Sequence, residues 1–377
     1  MKKIVFITGT RADYGKIKSL IASIETNEKF EAYIFVSGMH LIEKFGNTYE
    51  EIIKDGYRNI YVDFAQAHTG VMSYDLGNVI CNLSGYIRQV NPDMIIVHGD
   101  RIDALAGAVV GALNNIKVAH IEGGEISGTI DESIRHAITK FSHIHMVCNE
   151  GAKSRLIQLG ENENNIFVIG SPDIDIMMSN NLPSLEAAKS RYDISFDNYG
   201  LLMYHPVTTE FDGLQEKINN IVTALIESEK NYVVIYPNND LGSEIILNEY
   251  KRLKNNSHFR MFPSLRFEHF LTLLKNAEFM IGNSSAGVRE TGVYGVPDID
   301  IGNRQSGRYK IEGSNIQHVI EDKKEILDAI QNVNNYRKKM SEYGQGDSTQ
   351  KFMDIIENDD VWNIEIQKKF IDRNSTL

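Results

Sequence analysis

Short apolar runs alternate along the chain with longer segments whose apolar residues recur at helical spacing. The runs at 3–8, 31–36, 93–98, 117–120 and 144–148 are nearly continuous in hydrophobic residues, as expected of parallel strands covered on both faces by crossover helices. A second series follows at 200–204, 232–236, 278–281 and 297–301, separated by segments such as Leu214 to Ile226 with the helical period. The pattern predicts an α/β protein with two parallel-sheet domains. No internal sequence copy relates the halves, so the shared architecture is an inference about folding. The polar stretch 180–198, with Pro183 and the turn Asp197-Asn198-Tyr199-Gly200, places the boundary between a domain at 1–180 and one at 181–355. Beyond it, Phe352, Met353, Ile355, Ile356, Trp362, Ile364, Ile366 and Phe370 give the chain end an apolar face. That face predicts a terminal helix at 356–377 that returns to the first domain.

Composition narrows the function classes. A length of 377 residues exceeds the usual single core, and 42% hydrophobic with 24% charged residues describes an ordinary globular protein. The 39 basic and 51 acidic side chains give a formal charge of -12, which opposes nucleic-acid binding but leaves room for a local phosphate pocket. Cys81 and Cys148 supply neither a disulfide framework nor a zinc cluster, so the reading is a reducing, cytoplasmic location. The apolar run at the start is too short for a signal segment and reads as a first strand. No stretch reaches the ~20 apolar residues of a membrane span, so no membrane partner is expected.

Glycine and charge recur where the strands end. Gly9-Thr10-Arg11, His98-Gly99-Asp100-Arg101 and His120-Ile121-Glu122-Gly123-Gly124 each follow a strand run, at the carboxyl ends where open α/β sheets gather ligands. The first of these lacks both the Walker spacing and the close glycine pair of a dinucleotide fold, which disfavours ATP and NAD. Arg11 and nearby amides either bind an anion or merely open a helix. Asp100 is either a helix cap paired with an arginine or a carboxylate facing a ligand. Glu122 and Asp131 either pair with Arg135 and cap a helix or divide acid and base roles between them. His143 and His145 lack the spacing of a metal site and read as packing residues. His205, before Pro206, reads as a polar group lifted out of the sheet ladder. Asn283-Ser284-Ser285 follows another strand run and predicts a strand, a small polar turn and a helix start suited to phosphate. Glu290 suits ribose hydroxyls, and Arg304 and Arg308 suit diphosphate charge.

In combination and order these fragments, with Ser37-Gly38-Met39-His40, Asp131-Glu132-Ser133-Ile134-Arg135-His136 and Gly170-Ser171-Pro172, resemble the hydrolysing UDP-N-acetylglucosamine 2-epimerases of sialic acid biosynthesis. The resemblance covers nearly the whole chain. It implies two Rossmann-like domains in a glycosyltransferase-B-like arrangement with an interdomain active-site cleft. It also implies conversion of UDP-N-acetylglucosamine and water to N-acetylmannosamine and UDP, through anti elimination to 2-acetamidoglucal and hydration, with no cofactor and no metal. Asp100, Glu122 and Asp131 then correspond to the catalytic acids and His205 to a supporting group. Ser284 and Ser285 correspond to phosphate contacts, Glu290 to the ribose contact, and Arg11 and Arg304 to anion contacts. Asp240 and Ser243 correspond to further UDP contacts, while Phe267 either covers the uracil or packs in the core. Non-hydrolysing relatives open with Gly-Thr-Arg-Pro-Glu where this chain has Ala12-Asp13-Tyr14, which favours release of free sugar. The resemblance further implies a homodimer or homotetramer. The alternatives are a hydrolysing 2-epimerase of UDP-2,4-diacetamido-2,4,6-trideoxyglucose and, more distantly, a UDP-sugar glycosyltransferase or a non-catalytic sugar-nucleotide sensor.

Overall fold

The computed structural model describes residues 1–66, 68–127, 129–340 and 342–372. The chain forms two compact units. One comprises Met1–Glu125, Asp131–Ser179 and Glu342–Leu377, the other Ile126–Ile130 and Asn180–Ser341.

The first unit holds strands β1 (Lys2–Thr8), β2 (Phe30–Val36), β3 (Ile60–Val62), β4 (Met94–His98), β5 (Lys117–Ile121), β6 (Ile144–Val147) and β7 (Ile166–Val168). They pair in parallel in the order β3-β2-β1-β4-β5-β6-β7. Side chains alternate between the faces of a strand, so β1 feeds two cores at once. Ile4 and Phe6 join the core that contains Ile17, Leu20 and Ile21 of the helix Arg11–Glu25. Val5 and Ile7 join the other, with Val79 and Leu83 of the helix Met72–Val90 and Ala108 of the helix Ile102–Leu113. Burial on both faces is why these strands are continuous apolar runs.

The second unit repeats the plan with β8 (Gly200–Met203), β9 (Tyr232–Ile235), β10 (Phe259–Phe262), β11 (Phe279–Gly282), β12 (Asp298–Ile301) and β13 (Ile316–Val319), in the order β10-β9-β8-β11-β12-β13. In both sheets the first strand of the unit lies between the second and the fourth. The order therefore reverses between β1 and β4 and between β8 and β11, the switch points beyond which doubly wound sheets leave a crevice for ligands. No helix among the described residues is long and apolar enough to cross a membrane.

The chain end departs from the expected helix at 356–377. Residues from Glu342 onward belong to the first unit, so the division expected at 355 falls earlier. The helix Ser348–Glu357 starts on the carboxylate of Asp175, which accepts from the amides of Ser348 at 2.9 Å and Thr349 at 2.6 Å. Phe352 and Ile356 of that helix are fully buried in the first core. After a short helix Asp359–Asn363 the chain runs without regular structure, because its partners lie along an edge of the unit rather than within one helix. The Ile366 carbonyl meets His143 Nε2 at 3.0 Å, Lys368 Nζ reaches Glu161 Oε2 at 2.6 Å, and the Ile371 amide donates to Gly160 at 3.0 Å. Residues 373–377 lie outside the described residues.

Glu161 anchors this strap. Burial by itself would raise its carboxyl, but the hydrogen bond and charge of His145, the charge of Lys368 and the hydrogen bond from Lys140 outweigh it and hold Glu161 at about 2. A carboxyl depressed on folding stabilises the native state above its ordinary range near 4.5 and loses that contribution as pH falls through about 2. We expect Glu161→Gln at neutral pH, and the parent between pH 4.5 and 2, to expose the strap. Hydrogen exchange should show the Ile371 amide losing protection while the β1 amides keep theirs. Equal protection of Ile371 in parent and variant at pH 7 would remove Glu161 as the anchor.

Candidate functional site

The β1 end is organised by Asp13. Thr10 and Asp13 form a capping box on the helix Arg11–Glu25, and the Asp13 carboxylate accepts from the amides of Gly9 and Thr10 at 3.0 Å and from Thr8 Oγ1 at 2.7 Å. Those two amides, expected to face an anion, are therefore used within the loop. Arg11 reaches Glu51 at 2.5 Å, so a ligand at this guanidinium would share it with a carboxylate. Thr8 Oγ1 also meets His40 Nε2 at 3.0 Å, and His40 Nδ1 meets Thr48 at 2.6 Å. Burial lowers His40 to about 4, so its ring is a neutral strut at pH 7. Behind the loop stands buried Asp103, which accepts from Ser37 Oγ at 2.6 Å. A Cβ on Gly9 would lie 2.2 Å from its Oδ2, so this turn admits no side chain there. The Ser-Gly-Met-His fragment thus serves as the floor of the Gly-Thr-Arg loop.

Asp100 follows the β4 end after Gly99, whose φ is 71°. It does not cap the next helix, since Arg101 occupies the cap position of Ile102–Leu113. It is instead bonded by Arg135 Nη2. Arg135 itself is fully buried and donates its Nη1 to the Glu125 carbonyl at 2.8 Å. A buried guanidinium in such a clamp fixes its carboxylate in place and in charge. Asp100 keeps 25% of its side chain exposed, which leaves it accessible to a ligand. Asp131 lies buried in the first turn of the helix Ile130–Phe141, one turn before Arg135. Glu125 is also buried, whereas Glu132 pairs with His136 at 3.6 Å near the surface.

Glu122 follows β5 with a left-handed φ of 65°, an unusual conformation for a residue with a Cβ and one that turns its side chain away from the ladder. It is 6% exposed. Ser171 Oγ donates to its Oε1 at 2.6 Å, Lys16 Nζ lies 3.7 Å from the same oxygen, and His98 Nε2 lies 3.3 Å from Oε2. Lys16 also lies 3.5 Å from Asp173 Oδ2. Arg135, offered from sequence as a partner of Glu122, pairs with Asp100 instead. Sequence reasoning missed Lys16 and Asp173 as members of this group. Their signal was faint: Lys16 follows the Gly-Thr-Arg fragment on its helix, and Asp173 follows Gly170-Ser171-Pro172.

His120, His143 and His145 serve the scaffold. His120 Nε2 meets the Gly99 carbonyl at 2.8 Å, and burial lowers the ring to about 3. His143 Nδ1 accepts from the Val118 amide at 3.1 Å, and His145 Nε2 meets Glu161 at 3.1 Å.

In the second unit, the switch point between β8 and β11 is tied by a reciprocal pair. The His205 amide donates to Asn283 Oδ1 at 2.7 Å, and Asn283 Nδ2 donates to the His205 carbonyl at 2.8 Å. The Asn238 amide donates to His205 Nδ1 at 3.0 Å. An accepting Nδ1 places the proton of a neutral ring on Nε2. The Asn238 side chain meets Asp240 at 2.5 Å, and the Asp240 carbonyl receives the Ser243 amide at 3.0 Å where the helix Ser243–Tyr250 begins.

Ser284 caps the helix Ser285–Tyr294, accepting from the Ala286 amide at 3.3 Å, and Glu290 is buried on that helix. The Asn283 carbonyl receives Arg304 Nη1 at 3.1 Å and Gln305 Nε2 at 2.8 Å. Arg308 donates to Gln305 Oε1 at 2.9 Å. The loop after β12 is thereby pinned to the serine turn, and it brings two guanidinium groups with it. Phe267 is buried at the start of the helix Phe267–Lys275 and stacks on Phe270 with ring centroids 6.5 Å apart.

The arrangement meets a defined set of relatives. The sequence matches the protein family described as UDP-N-acetylglucosamine 2-epimerase over residues 22–357. It is 48% identical to a UDP-N-acetylglucosamine 2-epimerase of Neisseria meningitidis serogroup B, covering 99% of this chain and 100% of that one. It is 34% identical to a hydrolysing UDP-N,N'-diacetylbacillosamine 2-epimerase of Legionella pneumophila, over 82% of this chain and 83% of that one. Among solved structures, a Methanocaldococcus jannaschii UDP-GlcNAc 2-epimerase in complex with UDP-GlcNAc and UDP superposes with a TM-score of 0.81 at 24% identity, covering 94% and 99% of the two chains. That likeness establishes the two-domain fold of the glycosyltransferase-B kind.

Proposed function

The chain belongs to the UDP-N-acetylglucosamine 2-epimerase family, and from that premise we propose that it is the hydrolysing enzyme, turning UDP-N-acetylglucosamine and water into N-acetylmannosamine and UDP. The observation that carries the reading is the pair of carboxylates at neighbouring strand ends, Asp100 clamped by Arg135 and Glu122 ringed by Ser171, Lys16 and His98. Near-complete coverage at 48% identity supports the same substrate.

In the first step a carboxylate takes the C2 proton while the C1–O bond breaks and its electron pair leaves with UDP. The product is 2-acetamidoglucal, with a double bond between C1 and C2. Water then adds its oxygen at C1 and gives up a proton, while C2 gains a proton on the opposite face. Proton transfer by a positioned side chain at each stage is the work of Asp100, Glu122 and Asp131. The second unit supplies the nucleotide contacts. The Ser284–Ser285 helix start and the Arg304 guanidinium take the diphosphate, Glu290 takes the ribose hydroxyls, and the His205 Nε2 proton meets the departing phosphate. Arg11, Asp240, Ser243 and Phe267 complete the ligand contacts in this scheme. We place the enzyme in a reducing cytoplasm as a homodimer or homotetramer, in keeping with Cys81 and Cys148 as thiols.

NMR of the reaction in heavy water tests the reading. UDP-N-acetylglucosamine should yield UDP and N-acetylmannosamine with deuterium at C2. Release of UDP with N-acetylglucosamine as the sole sugar would sink the epimerase assignment. A parallel arm with UDP-2,4-diacetamido-2,4,6-trideoxyglucose decides the sugar, since the 34% relative is named for that chemistry. Faster turnover of this second sugar would replace the first as substrate.

A further inference from the structure

Lys16 takes no part in the proton transfers above, yet it is 8% exposed. An ammonium withdrawn from water costs several kcal/mol unless carboxylates compensate it. Glu122 Oε1 at 3.7 Å and Asp173 Oδ2 at 3.5 Å are placed to do so. Asp173 is itself fully buried, in the first turn of the helix Pro172–Met178. Three separate elements thus bring one cation between two acids: the helix Arg11–Glu25, the β5 end and the chain entering Pro172–Met178.

Resting on the epimerase reading for what Glu122 does, we propose that Lys16, kept charged by Asp173, is a positioning residue that holds Glu122 in place and ionised as the proton acceptor. The geometry separates the two ends of the pair. Asp173 offsets the burial of Lys16, and Lys16 in turn favours the charged form of Glu122. Other groups facing Glu122 include the Ser171 hydroxyl, which donates to it, and the His98 ring from β4. A carboxylate that must take a proton from carbon has to begin each cycle without one. In a buried site desolvation works against that state, and a neighbouring cation restores it.

The test reads Glu122 directly. Protein carrying 13C at the glutamate carboxyl carbons is titrated by NMR without substrate, with the Glu122 signal assigned by its loss in Glu122→Gln. A cation within about 4–6 Å depresses a carboxylate by roughly 1–3 pH units. Lys16→Met should therefore raise the Glu122 midpoint by about one unit or more. Lys16→Arg keeps the charge and should stay near the parent. Asp173→Asn should move Glu122 upward as well, because Lys16 with one of these two counter-charges removed holds its proton less firmly, and its neutral form no longer favours the charged form of Glu122. The acid limb of the kcat profile should move in the same direction in each variant.

An unchanged midpoint in Lys16→Met, or equal shifts in Lys16→Met and Lys16→Arg, overturns the proposal. A downward shift in Asp173→Asn also overturns it, since Asp173 would then act on Glu122 by direct repulsion. Should Lys16→Met fail to fold, Lys16→Gln takes its place and the Asp173→Asn result still decides. The titration uses no substrate, so it fails independently of the epimerase assignment, which the product analysis of the parent settles.

Discussion

Glu122→Gln is expected to lower kcat by at least about 100-fold, the loss typical of removing a positioned acid or base, with a modest drop in melting temperature because buried Lys16 loses one counter-charge while keeping Asp173 at 3.5 Å. The amide keeps the shape and an acceptor for Ser171 Oγ, which donates at 2.6 Å, but it cannot take a proton. Asp100→Asn should show a comparable kinetic loss with an added cost in stability. Its partner Arg135 is 1% exposed, and a buried guanidinium left with a neutral partner loses most of its compensation. Because Asp100 is itself a quarter exposed, water offsets part of that cost, and about 1–3 kcal/mol is the expected range. Steady-state UDP release and thermal melting of both variants measure the two effects. Turnover within tenfold of the parent in both would remove them as proton-transfer groups. Equal melting temperatures in both would mean that the Arg135 clamp does not depend on its anion.

The contrast between these two acids also marks what the sequence could reveal. Asp100 and Glu122 stand out because each follows a run of apolar residues, and a charge at the end of a buried strand is conspicuous in any register. The central strands were legible for the same reason. The four strands absent from the sequence expectations, β3, β7, β10 and β13, are the four edges of the two sheets. They are three or four residues long; β3, β7 and β10 are largely half-exposed, and β13, otherwise buried, carries Gln317 and exposed His318, so their apolar pattern is short or diluted by the polar positions an edge permits.

Partners from distant segments were harder still. Arg135 reads from the sequence as a mate for Glu122, and its pairing with Asp100 depends on how Ile130–Phe141 docks against the β4 end. Lys16 looks like a solvated helix lysine until Asp173 arrives from more than 150 residues downstream. The apolar residues of the terminal strap suggest a helix because the partners that hold it extended, His143, Glu161 and Gly160, are distant in sequence. Ile364 and Ile366 are two apart, a spacing that an extended chain satisfies as readily as a helix satisfies its own.

Gly282→Ala should cost the second unit the turn proposed to cradle the nucleotide. Gly282 ends β11 with a φ of 137°, a region in which a residue with a Cβ is strained by about 1–3 kcal/mol. Space is tighter than the dihedral alone suggests. A Cβ there would lie 2.1 Å from the Met203 carbonyl oxygen and 2.6 Å from its carbon, main-chain atoms of β8 that no rotamer change can move. Met203 is the strand partner of Gly282, and its oxygen also accepts the Asn283 amide at 3.1 Å. Relief requires the end of β11 to leave β8, which carries Asn283 with it. That displacement breaks the reciprocal bonds to His205 and draws the Arg304 and Gln305 contacts off the Asn283 carbonyl. Affinity for UDP, measured by calorimetry, should therefore fall at least about 100-fold, equivalent to ~2.7 kcal/mol. Gly85→Ala is the control. Gly85 lies within the helix Met72–Val90 with nothing within 4 Å of an added Cβ, and alanine there should leave UDP binding unchanged and stability equal or higher. UDP binding within threefold of the parent in Gly282→Ala would show that the turn after β11 does not form the phosphate cradle, and the nucleotide contacts assigned to Ser284, Ser285 and Arg304 would lose their basis.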